Sequence, residues 1–401
     1  MADHDIRVLD ETQVRAAHTL FRGSLHTAPA PDEKWEQVKG TYEPGRTLGA
    51  FQDDELVGTA QSWAAGRLAV PGGDVPLAAV SRVGVRTDWT RRGVLSALMR
   101  RQLRSFQEAG EITATLRASE STIYGRFGYG VASRGRGVKI DRYRAALLPS
   151  PGTGGRIRLV DKDTALTLAP RIYEAAGLTR PGATSRWPAW WQLNLPRAFD
   201  ENGKLAVHRG PDGDDGFVVY EVKSSSPSGH GNWVLTVLDL VAATPQVWAE
   251  LWRFVFRVDV VDEVVGDLRP LDEPLEWLFA DRRVVKVTEV EDETWLRLVD
   301  VPAALAARAY GRAEPVVIGV RDRYLPENDG TYRVTPDGAE RTDRPADLAL
   351  DVDLLASTYL GDVPFSTLAA AGRVDVLDHT ALPRADALFG TSQSPWAGTF
   401  F

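Results

Sequence analysis

None of the 401 residues is cysteine, which excludes disulfides, thiolate nucleophiles and Cys-ligated metals. A basic excess is also missing: Lys and Arg total 47 against 55 Asp and Glu, a net charge of −8. Without a basic stripe, binding to nucleic acid through its phosphates is not expected. An acidic surface weakly favours encounter with cationic molecules. No apolar run reaches bilayer length, so no membrane partner is expected. Met1-Ala2-Asp3-His4-Asp5 is polar and acidic and has no signal-peptide core, so the expected location is cytoplasmic. The six histidines fall at no ligand spacing, and no metal is expected.

The chain is long for a single core, and two or three domains are expected. Leu148-Pro149-Ser150-Pro151-Gly152-Thr153-Gly154-Gly155 is dense in turn formers and reads as a linker. A softer break near Asp281-Arg282-Arg283 follows a helical-looking stretch, Leu271–Phe279. The cuts give domains at 1–148, 156–283 and 284–401.

In the first, Glu11–Phe21 reads as a helix, and Thr47–Gln52 with Glu55–Trp63 as strands around Asp53-Asp54. Leu77–Val85 is a strand. Leu95, Leu98, Met99, Leu103 and Phe106 then recur at helical spacing up to Gly110, and Ile112–Ala118 is again a strand. The middle domain alternates similarly, with Ile172–Gly177 helical, Phe217–Val222 and Trp233–Leu240 extended, and Pro245–Phe256 helical. In the last, helices are expected at Ala303–Ala309, Asp351–Leu360 and Phe365–Ala371, with strands around Asp337-Gly338.

The chemistry concentrates between Ser81 and Ser96. A helix N-terminus offers unpaired N–H groups and the positive end of a dipole. Gly93 lets that backbone approach an anion, and Arg91 and Arg92 add charge. Such a loop suits a pyrophosphate, and Val83-Gly84-Val85 would offer peptide groups to an amide-bearing ligand arm. A basic pair before glycine is often only a solvated helix start, but a strand before it and a long amphipathic helix after it favour the anion site. The middle domain carries no such loop, because Arg180-Pro181-Gly182 precedes no helix-periodic run.

Val83-x-Val85 followed by Arg91-Arg92-Gly93-Val94-Leu95 resembles the cofactor motif of the GCN5-related N-acetyltransferases (GNAT). Ala118-Ser119-Glu120-Ser121-Thr122-Ile123-Tyr124-Gly125-Arg126-Phe127-Gly128-Tyr129-Gly130 narrows the resemblance to the enhanced-intracellular-survival (Eis) acetyltransferases of actinobacteria. Pro345 to Leu348 and Ser366 to Val374 resemble that family's sterol-carrier-like C-terminal domain.

The resemblance implies an α/β (α+β) chain of two tandem acetyltransferase-like domains, only the first catalytic, then the carrier-like domain, assembled as a homo-hexamer. It implies acetyl-coenzyme A as co-substrate and transfer to primary amines: aminoglycoside-like or other polyamines, or lysine side chains. The cofactor would contact Val83, Gly84, Val85, Arg91, Arg92, Gly93, Val94, Leu95, Ser96, Ser119 and Glu120. Tyr124 would be the general acid and the α-carboxylate of Phe401 the general base.

These roles have a chemical logic. A protonated amine cannot attack a thioester, so a carboxylate must take its proton. The departing thiolate needs one, and a phenol near about 10 suits a thiol near about 8.5. A terminal carboxylate near about 3.5 is a poor base unless desolvation raises it. Tyr129 reads as packing. Three residues weigh against polycationic acceptors, because an acid would help where Ser24, Arg82 and Phe400 stand. Trp35 fits an aromatic wall or the core. Competing readings are a protein-lysine acetyltransferase and a lipid carrier with a vestigial transferase site.

Overall fold

Residues 4–150, 152, 154–226 and 231–401 are described in the computed structural model. Met1-Ala2-Asp3, and Pro151 and Thr153 of the expected linker, lie outside them. Contacts divide the chain into one unit of Met1–Ser133, Arg180–Thr184 and Glu293–Phe401, and another of Arg134–Thr179 and Ser185–Asp292.

The first unit opens with β1 (Asp5–Val8), α1 (Val14–Ser24), α2 (Asp32–Lys39) and β2 (Thr47–Gln52). The expected helix at Glu11 starts three residues late. The Asp10 carboxylate accepts from the N–H groups of Thr12 and Gln13, which spends that turn before the helix begins. Asp53 and Asp54, at φ 49° and 64°, make the tight turn into β3 (Glu55–Val70). β4 (Gly73–Val85) and α3 (Val94–Glu108) follow. α3 buries Val94, Leu98, Met99, Gln102, Leu103 and Phe106. Each large apolar side chain buried there contributes about 1.5–3 kcal/mol. Gly110, at φ 73°, ends the helix by the expected left-handed exit. β5 (Thr113–Leu116), the single turn α4 (Ser121–Tyr124) and β6 (Gly130–Asp141) come next.

The second unit holds β7 (Arg156–Val160), α5 (Lys162–Ala176), α6 (Pro188–Asp200), β8 (Lys204–Gly210), β9 (Gly213–Ser224), β10 (Trp233–Ala242), α7 (Pro245–Val255) and β11 (Glu263–Pro270). Its sheet runs β6-β11-β10-β9-β8-β7. β10 and β11 are parallel across α7, a strand–helix–strand crossover like β4–α3–β5. The helix expected over Leu271–Phe279 shrinks to a 3-10 turn, Leu275–Leu278. Pro274 interrupts it, and the buried Glu273 carboxylate is committed to Arg269, Trp248 and Trp252.

β12 (Val285–Leu298) pairs its last residues with β5, Trp295 opposite Leu116. Beyond it, α8 (Val301–Ala307) is capped by the Asp300 carboxylate and so starts two residues before expectation. β13 (Val316–Arg321), β14 (Gly330–Thr335), β15 (Gly338–Thr342), β16 (Leu348–Asp351), α9 (Val352–Tyr359), α10 (Phe365–Ala370), β17 (Asp375–Val376) and α11 (Ala381–Phe389) complete the chain. The sheet order is β15-β14-β13-β16-β17, with the expected hairpin at Asp337-Gly338. No helix among the described residues is long and apolar enough to cross a membrane.

The glycines after Tyr124 join this last domain to the first. A Cβ on Gly130 would stand 1.8 Å from the Asp353 carbonyl oxygen, and one on Gly128 would stand 2.8 Å from Arg297 and Val352. Only glycine lets α9 approach so closely. Arg297, fully buried on β12, donates from Nη2 to both carboxylate oxygens of Asp322 and from Nη1 to the Leu298 carbonyl.

Candidate active site

Between β4 and β5 the sheet opens. Their parallel pairing covers Leu77 to Ala79 and ends at Ala79 opposite Thr115, while β4 continues to Val85 on its β3 side. Val83, Gly84 and Val85 therefore turn an unmatched strand edge toward the gap. A bulge adds to this. One β3 residue between Thr59 and Gln61 faces two on β4, Arg82 and Val83. Arg82 takes φ 49°, which reorients the neighbouring peptide groups.

The loop into α3 is shaped for an anion. Arg91 (φ 61°) and Gly93 (φ 88°) both adopt left-handed backbone, and Gly93 occupies the N-cap. No side chain caps the helix and no acid sits in its first turn. The first helical hydrogen bond runs from Ala97 N–H to Gly93 C=O, so the amides of Val94, Leu95 and Ser96 remain unspent. Arg91 and Arg92 are exposed and form no ion pair among the described residues. Arg92 lies 4.8 Å over the Trp89 ring, and a His4 ring nitrogen meets its carbonyl at 2.8 Å, which braces the loop from outside. α7 differs at the same topological point. Its Thr244 hydroxyl accepts from Val247 N–H, and Pro245 replaces a donor.

Ser119 and Glu120 are exposed just after β5, and Tyr124 ends the turn that follows them. The Tyr124 ring packs with Val83 and Leu95 against the core behind α3 and meets Tyr129 edge-on at 6.0 Å. Its hydroxyl has no hydrogen-bond partner among the described residues. Burial pushes the phenol up to about 12, well above the expectation of about 10. Tyr129 is fully buried and is a packing residue, as expected.

At the other end of the sequence, the Phe401 ring lies edge-on to Trp63 of β3 at 6.4 Å, and Phe400 stacks under Arg117 at 4.8 Å. No direct hydrogen bond or ring contact joins Tyr124 to Phe401 among the described residues. Trp63 also borders a buried cation. The Arg82 guanidinium sits 5.3 Å over Trp63 and 4.5 Å over Tyr42, and donates to Gln61 Oε1 and Thr41 Oγ1. It has no carboxylate partner among the described residues. Ser24 lies against Gly84, whose Cβ would meet its hydroxyl at 2.6 Å. Trp35 belongs to the core, packed with Leu9, Val14, Ala17 and Phe51.

Nothing in its sequence context marks His18, whose Nδ1 lies 2.9 Å from the Tyr42 hydroxyl. Burial, then the charges of Arg82 and Arg22, lower its pKa to about 4. The unfolded chain, with an ordinary histidine near about 6.5, then binds the extra proton first. Stability should be full above pH 6.5 and fall as pH drops toward 4. Melting temperatures across that window should decline less in His18→Gln. An equal decline would show that His18 does not carry the effect.

Among the described residues no group of three His, Asp or Glu side chains is placed to hold a metal ion. The sequence profile of the acetyltransferase (GNAT) domain matches residues 5–132, a second GNAT profile 182–298, and the sterol carrier protein domain 301–398. An uncharacterized N-acetyltransferase of Streptomyces avermitilis is 37% identical over 424 residues, covering 100% of this chain and 99% of its own. The N-acetyltransferase Eis of Mycobacterium bovis is 35% identical over 359 residues, 86% of this chain and 85% of its own. The crystal structure of Eis1 from Mycobacterium abscessus, 40% identical, superposes with a TM-score of 0.90 over 99% of this chain and 100% of that one. With two GNAT domains, a sterol-carrier domain and relatives matched across most of its length, the chain belongs to the Eis-like family of GNAT N-acetyltransferases.

Proposed function

We propose that this acetyltransferase moves the acetyl group of acetyl-coenzyme A to a primary amine in its first domain, the central domain lacking a cofactor loop. The observation that carries the reading is the uncapped N-terminus of α3 beside the open edge of β4. The unspent amides of Val94, Leu95 and Ser96, with Arg91 and Arg92, form a donor set for the pyrophosphate. Val83, Gly84 and Val85 pair with the amide-bearing arm, and Ser119 and Glu120 border the opposite side of the gap. Acetyl-coenzyme A supplies the thioester. The Phe401 α-carboxylate takes the proton that the amine must lose.

Tyr124 stabilises the departing sulfur. A phenol near about 12 stays protonated at any working pH, so it donates a hydrogen bond as charge develops. Full transfer to a thiolate near about 8.5 is uphill, so hydrogen-bond donation precedes proton transfer. The rate should therefore show no loss near pH 10 assignable to this phenol. Tyr124→Phe keeps the ring and removes the donor. It should lower kcat about a hundred- to ten-thousand-fold with cofactor affinity nearly unchanged. Activity within about threefold of the parent would remove Tyr124 from the mechanism.

The buried Arg82, beside the Trp63 ring that holds Phe401, disfavours polycations by like-charge repulsion. Small molecules with one amine, or single lysine side chains, fit better than aminoglycosides. A cytoplasmic homo-hexamer is the assembly we propose, supported by the family resemblance.

A further inference from the structure

The last six residues, Trp396 to Phe401, form no helix or strand, yet they are fastened at two points. The first is the segment Arg180–Thr184. Trp396 N–H donates to the Pro181 carbonyl at 2.9 Å, and the Arg180 guanidinium donates to the Ser394 carbonyl at 2.7 Å. Gly182, at φ 91°, leaves room for this, since a Cβ there would stand 2.9 Å from the Trp396 nitrogen. The second point is Glu293. It stands two residues before Trp295, the partner of Leu116, and so lies beyond the C-terminal end of β5.

Glu293 is 2% exposed, and both of its carboxylate oxygens are engaged. One oxygen accepts from Ala397 N–H at 3.0 Å and from the Ser133 hydroxyl at 2.8 Å; the other accepts from Gly398 N–H at 2.9 Å. Burial raises its pKa, while the two peptide N–H groups, the Ser133 hydroxyl and the nearby charge of Arg117 work in the opposite direction. An acid in the core is costly unless it is hydrogen-bonded, and here the chain's own tail supplies two of the three donors. Two adjacent N–H groups on one carboxylate fix both the position and the direction of the backbone. Gly398 at φ 60° then turns it past the Trp396 indole, which a Cβ at that position would meet at 2.4 Å.

We infer that Glu293 is a positioning residue: it clasps the peptide N–H groups of Ala397 and Gly398 and so sets where the α-carboxylate of Phe401 lies. The inference rests on the reading of that carboxylate as the base. Three residues separate the clasp from the terminus, which leaves a short, bent strap whose free end moves with its anchor. Misplacing a reacting group by about 1 Å costs on the order of a hundredfold in rate.

The test substitutes Glu293→Gln, which keeps volume and shape. An amide has one acceptor oxygen, so its NH2 must confront one of the two backbone N–H groups. Gly398→Ala is the second variant, because it moves the strap without touching Glu293. For each, kcat, KM for both substrates, acetyl-coenzyme A affinity, melting temperature and the rate of Phe401 release by carboxypeptidase are measured. The expected result is about a ten- to hundredfold loss of kcat, faster release of Phe401 and unchanged cofactor affinity, with a melting temperature lowered only by the local cost of the unpaired donor or the added methyl. Unchanged release with unchanged kcat in Glu293→Gln would overturn the clasp, as would a fall in melting temperature accompanied by equal loss of cofactor binding. Faster release with unchanged kcat would establish the clasp and overturn the terminal carboxylate as base.

Discussion

Gly93→Asp should abolish measurable binding of acetyl-coenzyme A while the protein stays folded. Gly93 caps α3 at φ 88°, and the space beside it is open, the nearest atom to an added Cβ being His4 Nε2 at 3.7 Å. A side chain there costs the left-handed penalty of about 1–2 kcal/mol, less for Asp than for most residues, so the fold should hold. What changes is the electrostatics. A carboxylate placed at the helix N-terminus would take the unspent amides for itself and repel the pyrophosphate. Loss of several such contacts amounts to about a hundredfold or more in affinity, since every 1.4 kcal/mol is about tenfold. Gly93→Ala supplies the control. It carries the backbone penalty without the charge and should bind within about tenfold of the parent. Calorimetric titration of both, with melting temperatures, checks the result. Equal affinity in all three proteins would remove the loop from the cofactor site.

Local features of the sequence made this half of the candidate site legible. The stretch from Val83 to Ser96 carries strand, loop glycine and helix periodicity in one run, and short-range chemistry alone assembles it. The hairpins at Asp53-Asp54 and Asp337-Gly338 and the helix stop at Gly110 were legible for the same reason. The other half is non-local. Glu293 is one of 55 acidic residues, and nothing around it in sequence says that it closes on a tail more than a hundred residues later. Arg180-Pro181-Gly182 precedes no helix-periodic run, and its role as the seat of Trp396 lies more than two hundred residues away in sequence. His18, Tyr42, Trp63 and Arg82 come from separate elements and meet only in the fold. α6 escaped notice because Pro188 and Pro196 argue against a helix, although the first sits at the tolerated N-terminal position. The stretch Leu271–Phe279 misled in the opposite direction, since its apolar spacing says nothing of the buried ion pair between Arg269 and Glu273.

A short peptide fused after Phe401 should leave acetyl-coenzyme A binding and stability intact and nearly stop turnover. The tail is fixed upstream of its end, by Trp396 on Pro181 and by Ala397 and Gly398 on Glu293. Phe400 is 61% exposed and Phe401 only half-buried, so the chain end borders solvent and an extension can leave through it while the Phe401 ring keeps its place beside Trp63. Melting temperature should therefore move little. The chemistry changes completely. Fusion converts the Phe401 carboxylate into a peptide carbonyl, which is not basic near neutral pH, and moves the free carboxylate to the end of the added segment. Without a base the amine keeps its proton, and kcat should fall about a hundredfold or more. Deleting Phe401 moves the carboxylate one residue back while the Glu293 clasp stays closed, and should have a similar effect through misplacement. A merely structural role for the terminus predicts something else: a lower melting temperature, with cofactor affinity and turnover declining together. Measuring kcat, cofactor affinity and melting temperature on the parent, fused and truncated chains separates the two. Turnover by the fused chain at the parent rate would exclude Phe401 as the base and leave Tyr124 with the anion loop as the whole of the machinery.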